Sequence, residues 1–246
     1  MRLRFLILSL ICFFMLGCIH RCPNPDDPLE TVNREIFKMN MAFDATVLQP
    51  PARLYVLIVP APMRAAINNV YVNVSTLPTI ANDILQLQYQ HTVHDMGRFI
   101  LNSTLGLGGI GDVATQLHIP SHHNDFGLTL AHWGNINSPY IMIPFLGPST
   151  MRDGLSLLVD YTFFSPYPFI ADGILYNILG LRYIDLRSQM SDNIKLVNEA
   201  MDPYKMMKDG YLQYRQHLIS QNHSQGSIDS ESDSSASLYV DDEEAS

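Results

Sequence analysis

Charge is scarce in this chain. Of 246 residues only 16% are charged against 47% hydrophobic, and the 24 acids outnumber the 15 bases to give a net charge of −9. No basic face is available to neutralise phosphates, so nucleic acid is not an expected partner. Cysteine is nearly absent as well: Cys12, Cys18 and Cys22 cannot build a disulfide framework. The apolar run at residues 5–16 is about a dozen residues long, whereas a helix crossing hydrocarbon needs roughly 20. Catalytic signatures are missing too. There is no G-x-x-x-x-G-K loop for nucleotide hydrolysis, no H-E-x-x-H pair for zinc, and no G-x-S-x-G elbow around Ser103, Ser121 or Ser149.

What is present begins at the N-terminus. Arg2 and Arg4 precede the apolar run, which closes on Met15-Leu16-Gly17-Cys18, the pattern of a secretory leader with a lipobox. Cleavage before Cys18 makes residues 1–17 the leader and Cys18 the lipidated residue, with residues 18–26 as a tether. Cys12 and Cys22 do not compete, because Ile11 and Arg21 are too large for a residue preceding the cut. Cys22 then has no intramolecular partner. Ile19, where an inner-membrane retention signal would place Asp, favours the outer membrane. A diacylglycerol plus an amide-linked acyl chain exceeds the two lipid signals that stable anchoring requires.

After the tether the composition suits one compact domain over residues 27–220. Residues 221–246 contain no Lys or Arg, are rich in serine, and carry Asp229, Glu231, Asp233, Asp241, Asp242, Glu243 and Glu244. Such a segment cannot bury enough apolar surface to offset its chain entropy and reads as a disordered acidic tail.

Within the domain, periodicity predicts helices punctuated by proline. Asp27 and Glu30 are placed to cap the first helix, whose Leu29, Val32, Ile36, Met39 and Phe43 share a face, and Pro50 and Pro51 are expected to stop it. Pro62 opens a second helix with Met63, Ala66, Ile67, Val70 and Val74 on one stripe, and Pro78 is expected to separate it from residues 80–87. Residues 91–105 form a fourth, with Val93, Met96 and Ile100 expected inward. Further helices are predicted at residues 150–161, 170–179, 184–200 and 203–219. Period-two segments at 56–59 and 140–143 are too short for a sheet core. A mainly α fold with little or no β follows.

Three segments depart from ordinary helical sequence. Gly106-Leu107-Gly108-Gly109-Ile110-Gly111 matches the spacing of a dinucleotide loop, but a helix precedes it and Ala131 stands where a ribose-binding acid belongs. It reads as an apolar bend. His118, His122, His123, Asp125 and His132 offer metal-ligand types, yet Pro120 breaks the helix that would put two rings on one face. They read as polar loop histidines, and no metal or other cofactor is expected. Residues 161–170 pack aromatics between prolines, as in an interfacial belt or a buried aromatic corner.

Taken together, several ordered blocks carry a resemblance. Asp27-Pro28-Leu29-Glu30, Asn33-Arg34, Asn40, Gly97-Arg98-Phe99, Leu101 to Gly106 and Gly108-Gly109 are the first of them. Asp125-Phe126-Gly127, His132-Trp133-Gly134, Pro139-Tyr140, Gly147-Pro148-Ser149, Arg152-Asp153 and Asp202-Pro203-Tyr204 complete them. Together they resemble the MlaA (VacJ) family of outer-membrane phospholipid-transport lipoproteins. Met39 departs from the family's usual Phe, a swap of similar volume. Residues 134–138 carry less glycine than is common among relatives.

The resemblance implies a ring of amphipathic helices in the inner leaflet of the outer membrane, with a channel through its middle. It also implies association with trimeric porins, removal of phospholipids from the outer leaflet, and their transfer to a soluble periplasmic carrier. With no nucleotide-hydrolysing loop, lipid is expected to move passively. Met39 and Asn40 are candidates for the first helix beside the channel; Gly106, Gly108 and Gly109 for a bend; His132, Trp133 and Gly134 for a channel loop. Two alternatives stay open: a membrane-attached acyl hydrolase using Ser149, Asp153 and His132, and a purely structural lipoprotein.

Overall fold

The computed structural model describes residues 27–222. Cys18, Cys22, the leader and nearly all of the acidic tail lie outside them. The chain opens with α1 (Glu30–Phe43), passes through a π-helical turn (Asp44–Leu48) into α2 (Gln49–Ile58), and continues with α3 (Ala61–Leu85) and α4 (Tyr89–Thr104). Short helices α5 (Val113–Gln116) and α6 (Phe126–His132) precede a two-stranded antiparallel hairpin, β1 (Tyr140–Ile143) and β2 (Gly147–Thr150). Then come α7 (Met151–Val159), a π turn (Asp160–Phe164), a 3₁₀ turn (Tyr167–Phe169), α8 (Asp172–Gln189), α9 (Ser191–Glu199) and α10 (residues 203–222).

Proline is used differently from the expectation. Pro50 sits in the first turn of α2, where its missing N–H is not needed, so the prolines open α2 rather than ending a helix. The preceding π turn absorbs the register change between α1 and α2. Residues 56–59, a strand candidate by pattern, therefore fall at the end of α2. Pro78 lies inside α3 and does not divide it. Likewise α8 runs unbroken through residues 179–184, and the break comes at Met190. Asp27 does not cap α1. Its carboxylate instead accepts from Asn33 Nδ2 at 2.8 Å, Tyr204 OH at 2.5 Å and Lys208 Nζ at 3.4 Å, tying the start of α1 to α10. Helix α10 outruns the expected domain end because Asn222 is buried, accepting from Gln88 Nε2 at 3.1 Å.

The hydrophobic pattern is inverted relative to a soluble bundle. Among the described residues, buried polar and charged side chains outnumber buried hydrophobic ones by more than two to one, while dozens of large apolar side chains are exposed. Helix α4 makes the point. Val93, Met96 and Ile100, expected inward, are 66%, 46% and 54% exposed, and the buried face carries Asp95, Arg98 and Asn102. Those polar groups hold the chain that follows: Arg98 donates to Ile119 O and Asp112, and Asn102 Oδ1 accepts from Ala114 N at 2.9 Å. On α1 the stripe residues Val32 and Met39 face outward while Asn33 and Phe37 are buried; on α7 Leu155, Leu157 and Leu158 face outward while Arg152, Asp153 and Ser156 are buried. A buried ion pair needs good geometry and extra hydrogen bonds to be tolerated. An apolar exterior of this extent needs a covering phase other than water.

The conventional core is small. Phe37, Tyr140, Met142 and Tyr204 cluster where α1, the hairpin and α10 meet, with Phe37 and Tyr204 edge to face at 5.8 Å. No helix among the described residues is long and apolar enough to cross a membrane.

Candidate functional site

Asn33 and Asn40 lie seven residues apart on α1, two turns on one face, and both bind the hairpin backbone. Asn33 Oδ1 accepts from Met142 N at 2.9 Å, and its Nδ2 donates to Tyr140 O at 3.3 Å. Asn40 Nδ2 donates to Ile143 O at 3.0 Å, and its Oδ1 accepts from Phe145 N at 2.8 Å. Two amide side chains thus satisfy an edge that a third strand would otherwise cover. Phe145 at the hairpin tip adopts φ 65° and stacks edge to face on Phe43, with ring centroids 4.8 Å apart.

Beside that pair of rings, the helices and the hairpin line an open-sided cavity of about 620 Å³. Its wall is of mixed character. Apolar side chains such as Phe37, Phe43, Leu48, Phe145, Leu186, Met190, Ile194 and Met207 line it together with Asp44, Asp125, Asp153, Ser156, Asp160, Arg187 and Arg215. A second, almost wholly apolar cavity of about 440 Å³ shares Phe43, Leu48, Phe145, Leu146 and Tyr183 with the first.

The polar part of the lining is a set of long-range ion pairs. Arg187 of α8 grips Asp44 of the first π turn through Nε and, at 2.9 Å, Nη2. Arg215 of α10 reaches Asp125 Oδ2 at 2.6 Å and Asp153 Oδ1 at 2.7 Å. Burial works to raise the Asp125 carboxyl, but the Arg215 guanidinium outweighs it and holds the carboxyl below its usual range. Asp160 has no arginine. It accepts from Phe126 N and Ser156 Oγ at 3.0 Å and from Asn82 Nδ2 at 2.9 Å, and burial pushes its carboxyl up despite them.

The candidate residues fall in different places. Asn40 lines the cavity, together with its neighbour Met41, whereas Met39 points outward. Gly106, Gly108 and Gly109 make the bend after α4. Gly109, at φ 94°, lies so close to Asn73 of α3 that an added Cβ would stand 2.7 Å from that side chain. Gly134, at φ 108°, ends α6, and Trp133 is exposed with its ring edge-on to Phe126. None of Gly106, Gly108, Gly109, His132, Trp133 and Gly134 is among the cavity-lining residues. The aromatic segment divides as well. Phe163 and Phe169 are strongly exposed, Tyr161 is less so, and Tyr161 and Tyr167 stack at 5.3 Å. Ser149 and Asp153 serve packing. Ser149 Oγ donates to Thr150 O at 3.2 Å, and the Asp153 oxygens are taken up by Arg152, Arg215 and Tyr211.

His122 is not a solvent-facing loop histidine. Its Nδ1 lies 2.6 Å from Asp95 Oδ2 and its Nε2 3.3 Å from Asp83 Oδ1. Burial works against protonation of the ring, but the two carboxylates outweigh it and raise its pKa to about 9. These three residues are the group of His, Cys, Asp and Glu side chains among the described residues spaced to share an ion. Sequence reading did not find Asp44, Asp160, Arg187 or Arg215. The signal for them was the scarcity of charge in the chain as a whole.

The family model described as MlaA lipoprotein matches residues 25–218. The chain belongs to the MlaA lipoprotein family. An uncharacterized protein of Rickettsia felis is 39% identical over 132 residues, and the match spans 54% of this chain and 53% of that protein, about half the length of each. The intermembrane phospholipid transport system lipoprotein MlaA of Escherichia coli (strain K12) is 31% identical over 221 residues, 87% of both chains. A solved structure described as the structural basis for maintenance of bacterial outer membrane lipid asymmetry superposes with a TM-score of 0.69. It is 29% identical and covers 78% of this chain and 98% of the other. The mainly helical architecture seen here, with its single small hairpin among the described residues, is that of the MlaA fold.

Proposed function

We propose that this protein moves phospholipids between a bacterial outer membrane and the periplasm, taking them from the outer leaflet through its central cavity. The observation that carries this reading is the mixed lining of the cavity, apolar side chains together with charged ones. A phospholipid with two acyl chains of about 16 carbons would expose more than ~20 kcal/mol of apolar surface if released into water, at ~0.8 kcal/mol per methylene. Its headgroup resists hydrocarbon by several kcal/mol. A passage must therefore meet both halves at once, with Leu186, Met190 and Met207 toward the chains and Arg187, Arg215 and Asp160 toward the headgroup.

The inverted exterior supports embedding in one leaflet: the apolar faces of α1, α4 and α7 replace lipid tails while their polar faces keep one another company inside. Lipidation at Cys18 supplies the anchor, porin trimers the neighbours in the membrane, and a soluble carrier the periplasmic recipient. The names of the E. coli relative and of the solved structure support the same role. Acyl hydrolysis has little support from Asp153, whose oxygens are already engaged.

The test is outer-leaflet phospholipid in cells with and without the protein. Deletion raises it, and Ile194→Trp, which fills the cavity, raises it while the protein still accumulates. Unchanged asymmetry in both strains would overturn the proposal.

A further inference from the structure

Away from the cavity lining, α3, α4 and the loop before α6 meet at Asp83, Asp95 and His122. Asp83 is fully buried, Asp95 is 2% exposed, and the His122 side chain is 18% exposed. Two features are left over once these groups are read as an ion pair. The first is the surroundings of His122. Two acids, Asp83 and Asp95, face His122, whose ring also lies against that of His91 with centroids 4.3 Å apart. The further hydrogen bond to Asp83, from Asn124 Nδ2 at 2.9 Å, is from a neutral group.

The second is a pair of orphan atoms. Asp83 Oδ2 and His122 Nε2 are both buried and have no hydrogen-bond partner. Nε2 stands close to Asp83 Oδ1 but is not aligned on it as a hydrogen bond. Meanwhile Asp95 accepts from Nδ1 and so fixes the ring with Nε2 turned to Asp83. A carboxylate holding the far nitrogen of an imidazole is the usual support for a metal-binding histidine.

We propose that Asp83 and His122 Nε2 bind a divalent transition-metal cation, with Asp95 as the residue that orients the ring. One nitrogen and one carboxylate, completed by water, suit zinc(II) among such ions. The ligand atoms of the three residues lie within 4.8 Å of one another. Zinc ligands sit about 2.0–2.2 Å from the ion, and the 3.3 Å between His122 Nε2 and Asp83 Oδ1 already suits two ligands of one tetrahedral ion. The bound ion fastens α3 to the loop that carries His122. The next residues of that loop, His123, Asn124 and Asp125, form part of the cavity wall. The site stands whether or not lipid passes through that cavity.

The experiment uses the full-length lipoprotein in detergent, stripped with a chelator and titrated calorimetrically with zinc(II), with X-ray absorption at the zinc edge reading the ligands. One zinc binds per chain with an imidazole among its ligands, and it raises the melting temperature. His122→Gln and Asp83→Asn abolish that binding, Asp95→Asn weakens it about 10–100-fold as outer-shell changes do, and His118→Gln and His123→Gln leave it intact. The wild-type titration decides even if a buried variant does not fold. Absence of stoichiometric binding, or binding lost with His123→Gln and kept with His122→Gln, overturns the proposal.

Discussion

Replacing Asn40 by Ala removes two hydrogen bonds that hold the hairpin tip to α1, those to Ile143 O and from Phe145 N. Each is worth a net 0.5–1.5 kcal/mol, so the tip loses about 2 kcal/mol of local stability. With 1.4 kcal/mol per tenfold, opening of the tip becomes about 30-fold more frequent. Because the Phe145 amide is held by Asn40 Oδ1, hydrogen exchange at that amide reads the opening directly. Exchange at Phe145 should accelerate by roughly that factor, while Met142, held by Asn33 Oδ1, changes much less. Asn40→Asp keeps the acceptor for Phe145 N but loses the donor to Ile143 O, and should fall between. Equal acceleration at Phe145 and Met142 would refute the idea that the two asparagines act as separate clasps. So would no acceleration at either.

Arg215→Met leaves Asp125 and Asp153 facing each other without their shared cation, and thermal unfolding should report a loss of about 3–5 kcal/mol. Gly109→Ala combines a disfavoured positive φ with a clash on Asn73, whereas Gly108→Ala has the positive φ and open space. Melting temperatures should therefore fall further for Gly109→Ala, by an amount that reports the docking of the bend on α3. The Asp202 carboxyl, bound by Arg34, is held down to about 2 against an ordinary 3.8. A depressed acid stabilises the fold above its unfolded value and loses that contribution as pH falls toward 2. The melting-temperature difference between wild type and Asp202→Asn should therefore be largest near neutral pH and vanish in strong acid. A pH-independent difference would contradict the pairing.

Helix content was legible from periodicity, but its polarity was not. A stripe of Val93, Met96 and Ile100 marks one face of α4 without saying whether protein or lipid covers it. The opposite stripe, Asp95, Arg98 and Asn102, held that information, since three such residues on one face of a charge-poor chain would be wasted on solvent. Proline misled for a related reason: Pro50 in a first turn and Pro78 within α3 read identically to helix breakers until the neighbouring turns are known. Residues 140–143 showed their period-two pattern and are β1, whereas β2, Gly147–Thr150, carries no such pattern and was missed. Asn40 emerged from the resemblance and does line the cavity. Its ionic wall could not emerge, since Asp44 and Arg187 are 143 residues apart and Asp125 and Arg215 are 90 apart.

A photo-crosslinking residue at Leu186 inside the cavity, compared with one at Met96 on the outer face of α4, tests the account most directly in living cells. Phospholipid captured at both positions, and lost from Leu186 alone when Ile194→Trp fills the cavity, is the expected result. Capture at Met96 with none at Leu186 would mean that lipid surrounds the ring but never enters it.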